Sequence, residues 1–232
     1  MTGNASDLES LCFNTMPMPV SSLEDYLESH STPAGDVADA VERWAHLHTA
    51  QPQMVCGPYE GRLLSLLCRT VRPQCAVEVG SFVGYSTLLI ATAMPPGGRL
   101  HTFEVNDERK ETILRHLEQA QVSHAVDLHI GDALTLIPTL FEDNKRTIDF
   151  AFIDADKRSQ QDYYDLLVPR MRPGALLLVD NALWGRKVLD LQHNHDRDTL
   201  TVHAFNEYVQ HDARVENIML DVRDGLLICS VL

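Results

Sequence analysis

FAFIDADKRSQQDYY, residues 150–164, runs four apolar residues, Phe150-Ala151-Phe152-Ile153, directly into Asp154, Asp156 and Lys157. The apolar half reads as the end of a buried strand. Charges placed behind such a strand need partners, because an unpaired buried charge is costly. What surrounds this stretch decides what those partners are.

Working outward, strand and helix signals alternate. Strands are predicted at 76–79, 99–104, 126–130, 148–153 and 175–179, the last after the turn residues Arg172-Pro173-Gly174. Helical patterns fill the gaps at 86–94, 107–119, 133–141 and 161–170, with Ile113, Leu114 and Leu117 on one face of the second. A further helix at 199–210 precedes two strands near 217–222 and 226–231, which flank the hairpin signal Asp224-Gly225. Two helical patterns, through Val37, Val41, Trp44 and Leu47 and through Leu63, Leu64, Leu67 and Val71, come before the first strand. Such β-α units ending in a hairpin imply an α/β fold: a Rossmann-like, doubly wound, mostly parallel sheet with helices on both faces. Ligands of these sheets bind outside the carboxyl ends of the strands. Those ends carry Glu78 and Gly80, Glu104, Gly131-Asp132, Asp154 with Asp156 and Lys157, and Asp180-Asn181. The sheet therefore presents an acidic crevice.

The 232 residues fit one domain with a substantial core. Residues 1–50 read as an N-terminal tail and helical adapter, with a short helix at 22–29, and residues 51–232 as the main domain. Nineteen Lys and Arg against 33 Asp and Glu leave a net charge of −14, which disfavours nucleic acid as a partner. No window is apolar enough to span a membrane, and the N-terminus lacks the basic and apolar regions of a signal peptide. Five scattered cysteines without a CxxC pair read as reduced thiols in a cytoplasmic protein.

Glu78-Val79-Gly80-Ser81-Phe82-Val83-Gly84-Tyr85-Ser86 is a strand–loop–helix sequence with glycines four apart. A dinucleotide fingerprint needs a glycine where Phe82 stands, so close approach of a diphosphate is disfavoured. An acid opening the loop suits a ligand with a positive amino group instead. Glu104 can accept both ribose hydroxyls, and Asp132 an adenine amine. Together they describe a phosphate-free nucleoside with a cationic amino-acid tail, S-adenosylmethionine.

Asp154, Asp180 and Asn181 end neighbouring strands. Three oxygen ligands with room for water match a hard divalent cation such as Mg²⁺, or alternatively Ca²⁺ or Mn²⁺. A phenol titrates near 10, and a nearby dication brings its ionisation toward neutral pH. Lys157 reaches the same region, as a base or as a stabiliser of the developing oxyanion. For Asp156 the competing account is the first turn of a helix, where acids are favoured.

The motifs EVGSFVGYST, FIDADK, PGALLLVDNALWGRKV and DGLLI occur together, and over residues 53–232 the chain resembles the cation-dependent class I O-methyltransferases, the catechol and caffeoyl-CoA group. The resemblance implies a seven-stranded sheet with an antiparallel last strand and a homodimer. It implies that Glu78, Gly80, Ser86 and Glu104 contact S-adenosylmethionine, with Asp132 and Ala133 near the adenine and Asp154 near the methionine end. It matches Asp154, Asp180 and Asn181 to metal ligands, Lys157 to the catalytic lysine and Trp184 to the border of the acceptor pocket. The acceptor it implies is a small catechol-like phenol. Two departures stand out: Gly57 replaces a serine in Met54-Val55-Cys56-Gly57-Pro58-Tyr59-Glu60-Gly61, and Gln160 replaces an aromatic residue three positions after the lysine.

Two other activities compete. Methylation of a tRNA hydroxyuridine by the same fold is opposed by the acidic charge, and a nicotinamide-dependent oxidoreductase lacks its second glycine. His193-Asn194-His195-Asp196 reads as a surface loop, Trp44 and Tyr59 as packing residues, and His116 and His211 as exposed helix positions.

Overall fold

The computed structural model describes residues 22–141, 145 and 147–232. They fall into two compact units that divide between Pro33 and Ala34. The smaller carries α1 (Leu23–Ser29), whose first turn is capped by the Ser22 hydroxyl accepting from Asp25 N at 3.1 Å. The sequence reading of residues 1–21 as a tail lies outside the described residues.

In the larger unit seven strands form one sheet: β1 (Cys75–Val79), β2 (Arg99–Glu104), β3 (Val126–Ile130), β4 (Ile148–Ile153), β5 (Met171–Val179), β6 (Val215–Leu220) and β7 (Leu226–Val231). The order is β3-β2-β1-β4-β5-β7-β6, with β7 alone running against its neighbours. Strand alternation sends side chains to two cores. Ala76, Phe150 and Phe152 join α2 (Asp36–His48), α3 (Gly57–Val71), α4 (Tyr85–Ala93) and α5 (Lys110–Gln119) on one face. Val77, Val79, Ala151 and Ile153 join α6 (Ala133–Leu140), α7 (Gln160–Leu167) and α8 (Arg197–Gln210) on the other. This is the doubly wound arrangement expected. α2 lies within residues 1–50, and its Ala38, Val41 and Ala45 are buried in the first core.

Three details differ from the sequence reading. β5 begins at Met171, and Arg172-Pro173-Gly174 is a bulge within it: Ile148 pairs with Met171 but Phe150 with Leu176. Arg172 Nε donates to Asp149, which holds the bulged segment against β4. Leu114 is exposed, whereas His116 is buried at 2 % exposure. Its ring is tolerated inside because Nδ1 lies 2.8 Å from the Val83 carbonyl. Finally, the hairpin turn is longer than two residues, running from Asp221 to Gly225. That turn props the segment after β5: Ala182 N and Leu183 N donate to the Gly225 and Asp224 carbonyls, each at 2.8 Å.

Among the described residues Cys56, Cys68, Cys75 and Cys229 are free thiols, and no helix is long and apolar enough to cross a membrane.

Candidate active site

The strand order reverses between β1 and β4, and the residues that follow these two strands form the centre of the site. Gly80 leaves β1 with φ +99°, and a Cβ there would lie 2.0 Å from the Asp154 carbonyl oxygen. Glycine is thus required by the close approach of the two strand ends. The loop then turns through Phe82, whose φ of +50° is unusual for a bulky residue. Its strain is offset locally: Phe82 N donates to Glu104 Oε2 at 2.8 Å, and the Arg109 guanidinium sits 4.1 Å over its ring.

Glu78 is fully buried, facing Thr102 in the register of β1 and β2. Its Oε2 accepts from the Thr102 and Thr87 hydroxyls, both at 2.6 Å, while Oε1 has no partner. Burial raises its pKa, and the nearby hydroxyls of Thr102, Thr87 and Ser86 counter the rise. Ser86 lies at the start of α4, also buried. Glu104 ends β2, its carboxylate pinned by the amides of Phe82 and Asn106 at 2.8 and 2.9 Å. Each of its oxygens retains a lone pair for another donor. Asp132 is placed differently. Exposed at the N-cap of α6, it accepts from Leu134 N and the Thr135 hydroxyl, both at 3.0 Å, and buried Ala133 follows it.

β4 and β5 bring Asp154 and Asp180 side by side, since Ile153 pairs with Val179. Lys157 Nζ lies 3.9 Å from Asp154 Oδ1 and donates to the Asp180 carbonyl at 3.2 Å. Asn181 follows at φ +59°, a conformation that asparagine tolerates, and Trp184 closes the turn by donating its N–H to the Asn181 carbonyl at 3.2 Å. Burial pushes the Asp154 carboxyl up to about 7, helped by the charge of Asp180 and opposed by Lys157. Asp180 is raised as well, again chiefly by burial and against Lys157. Asp156 does not join them: Oδ1 accepts from Ser159 N at 2.9 Å and Oδ2 from the Tyr163 hydroxyl at 3.1 Å, so it shapes the start of α7.

The sequence reading missed two contributors, Glu60 and Arg223, and named a third, Gln160, without its contact. Glu60, on α3, is buried at 1 % exposure with neither carboxyl oxygen hydrogen-bonded. Burial raises its pKa, followed by repulsion from Asp180 and Asp154 and relief from Arg223 and Lys157. Arg223, in the β6–β7 turn, donates to the Val55 carbonyl at 2.6 Å and touches the space beside Gly57, where a Cβ would lie 3.4 Å from its Nη1. Gly57 has φ +73°, so glycine suits the backbone as well as the neighbouring guanidinium. Gln160, the second departure, is buried with Nε2 3.5 Å from the same Asp180 carbonyl and Oε1 unpaired. Only their distance along the chain concealed the first two; Glu60 already stood in the motif around Gly57.

A family model described as O-methyltransferase matches residues 29–232. Tricin synthase 2 of Oryza sativa subsp. japonica is 36% identical over 74% of this chain and 61% of its own length. Caffeoyl-CoA O-methyltransferase of Stellaria longipes is 32% identical over 76% of each chain. The chain belongs to the O-methyltransferase family. Among solved structures, the O-methyltransferase TomG of Streptomyces achromogenes, determined with SAM, superposes with a TM-score of 0.79 at 31% identity, covering 89% of this chain and 94% of TomG. The chain is accordingly an S-adenosylmethionine-dependent O-methyltransferase.

The Asp154 shift fixes a pH dependence of this methyltransferase. A carboxyl whose folded pKa is raised binds its proton more tightly when folded, so its contribution to stability is complete below the ordinary aspartate pKa of about 3.9 and is lost as pH rises through about 7. In thermal melts without ligand, wild type and Asp154→Asn should differ little near pH 4, and wild type should fall progressively below the variant toward neutral pH. A constant difference between them across this range would rule out the shift.

Proposed function

We propose that this methyltransferase moves the methyl group of S-adenosylmethionine to one hydroxyl of a small catechol-like acceptor, with a divalent cation held by Asp154, Asp180 and Asn181. The observation that carries the metal is an excess of buried carboxyls. Glu60, Glu78 and Asp180 are buried, Asp154 is half-buried beside Asp180, and the cations that act on Glu60, Asp154 and Asp180 are Lys157 and Arg223. Buried charge demands compensation. Two carboxylates and a carboxamide form an oxygen donor set suited to a hard ion. Phenolic acceptors are supported by the caffeoyl-CoA O-methyltransferase and tricin synthase relatives.

In this reading Glu78 Oε1, buried and unpaired, accepts from the donor's ammonium group. Glu104 accepts from the ribose hydroxyls, and Asp132 and Ala133 lie beside the adenine. Gly80 lets the donor's methionine end approach the backbone, and Ser86 lines the same loop. A divalent cation, when bound, supplies Lewis acidity that ionises an acceptor hydroxyl near neutral pH. Lys157, its ammonium beside Asp154 and Asp180, donates a hydrogen bond to the oxyanion as the oxygen attacks the methyl carbon. The O–CH3 bond forms as the S–CH3 bond breaks, S-adenosylhomocysteine leaves, and the hydroxyl proton passes to solvent. Trp184 borders the acceptor. Holding the two reacting atoms at near-attack distance supplies much of the rate. The same reading extends to a cytoplasmic homodimer, its assembly checked by light scattering.

The test is methyl transfer to a panel of catechols and mono-phenols, with Mg²⁺ and with EDTA. Transfer to catechols that chelation abolishes and Mg²⁺ restores is the expected outcome. Transfer that persists in EDTA would sink the cation assignment.

A further inference from the structure

Glu60 has no place in the roles assigned so far, yet its surroundings are unusual. It stands on the first turns of α3, one residue before Gly61, where a Cβ would lie 2.4 Å from Leu89 Cδ1 and 3.2 Å from Tyr85 Cε1. That close helix contact pins the backbone at Glu60 between α3 and α4. Its carboxyl is buried at 1 % exposure and both oxygens lack hydrogen-bond partners. Leaving such a group unsatisfied costs on the order of 1–3 kcal/mol, more when charged. The neighbours that act on it most strongly are Asp180 and then Asp154, with Arg223 and Lys157 on the favourable side. An unpartnered acceptor thus faces two of the residues assigned to the cation.

Among the described residues no group of three His, Cys, Asp or Glu side chains is placed to hold an ion, and Glu60 stands on α3 rather than at the strand ends that carry Asp154, Asp180 and Asn181. A hard divalent ion of the Mg²⁺ type keeps several of its waters, and those waters need acceptors. Outer groups of this kind orient the inner ligands and tune affinity.

We propose that Glu60 is a positioning residue of the cation centre, its carboxyl oxygens accepting hydrogen bonds from water bound to an ion at Asp154, Asp180 and Asn181. The inference rests on the cation reading above. It assigns the two orphaned oxygens a partner that arrives with the ion, and it gives a use to an acid standing where a neutral residue would pack at lower cost.

The experiment is calorimetric titration of MgCl₂ into the purified protein saturated with S-adenosylhomocysteine, for wild type, Glu60→Gln, Glu60→Met and Asp180→Ala, with melting temperatures recorded without metal. Loss of Glu60 should weaken Mg²⁺ binding by roughly 10–100-fold, while the metal-free melting temperature stays level or rises. Asp180→Ala should abolish binding. Wild-type affinity in both folded Glu60 variants, with Asp180→Ala defective, would overturn the role of Glu60 and leave the cation site standing. A wild type that binds no Mg²⁺, Ca²⁺ or Mn²⁺ would overturn the cation reading and this inference together. A falling metal-free melting temperature with unchanged affinity would assign Glu60 to folding alone, against the proposal.

Discussion

Gly80→Ala should give a protein whose melting temperature falls by roughly 4–24 °C and which no longer holds S-adenosylmethionine. A Cβ at this position would stand 2.0 Å from the Asp154 carbonyl oxygen, on a residue whose φ is +99°. The obstructing atom is backbone, tied into the sheet by Asp154 N donating to Val79 O at 2.9 Å, so it cannot rotate away. Overpacking of about 1–3 kcal/mol and backbone strain of similar size add to roughly 2–6 kcal/mol. In a domain of this size about 2–4 °C accompanies each kcal/mol. The clash also separates the ends of β1 and β4, where on the proposed reading Glu78 and Asp154 hold one ligand between them. Differential scanning calorimetry and S-adenosylmethionine titration check both effects. A variant with wild-type melting and affinity would show that the two strand ends are not locked together.

The second large effect belongs to Lys157→Met. Methionine keeps the length and apolar stem of lysine and removes the ammonium. On the proposed mechanism the rate of methyl transfer should drop by about 10²–10³-fold, the range for removing one donor that stabilises a developing oxyanion. S-adenosylmethionine should still bind, because Glu78, Gly80 and Glu104 are untouched. A second signature follows from electrostatics: Lys157 lowers the pKa of both Asp154 and Asp180, so the variant's carboxyls should titrate at higher pH than wild type. Single-turnover rates and the pH profile of residual activity read these two consequences separately. A loss below tenfold with an unmoved profile would remove Lys157 from the reaction.

The sites of these two effects were visible in the sequence for different reasons. Gly80 stood out because a strand-to-helix loop with glycines four apart needs them for close approach, although nothing local named Asp154 as the atom being approached. Lys157 stood out because a run of buried residues ending in charge is expensive unless the charge has work to do. Local pattern could not separate acids of similar standing. Asp132, Asp154 and Asp156 all follow strands, yet Asp132 caps α6 and Asp156 bonds Ser159 and Tyr163. Asp154 alone is turned toward Asp180 and Lys157. His116 shows the same limit, since periodicity alone counted Leu114 as buried, and a single ring-to-carbonyl bond with Val83 brings the histidine inside instead.

What the sequence determined by itself was the succession of strands and helices, the edge of the sheet that carries the candidate site, and the family, because apolar periodicity, turn residues and contiguous motifs are properties of neighbours along the chain. What tertiary structure decided was which polar groups find partners. Thr102 reaches Glu78 across 24 residues and Arg223 reaches Val55 across 168. Glu60 meets Asp180 only because α3 packs beside the ends of β4 and β5. Whether a buried carboxyl is satisfied depends on atoms a few ångströms away in space, and those atoms are supplied by distant segments of the chain.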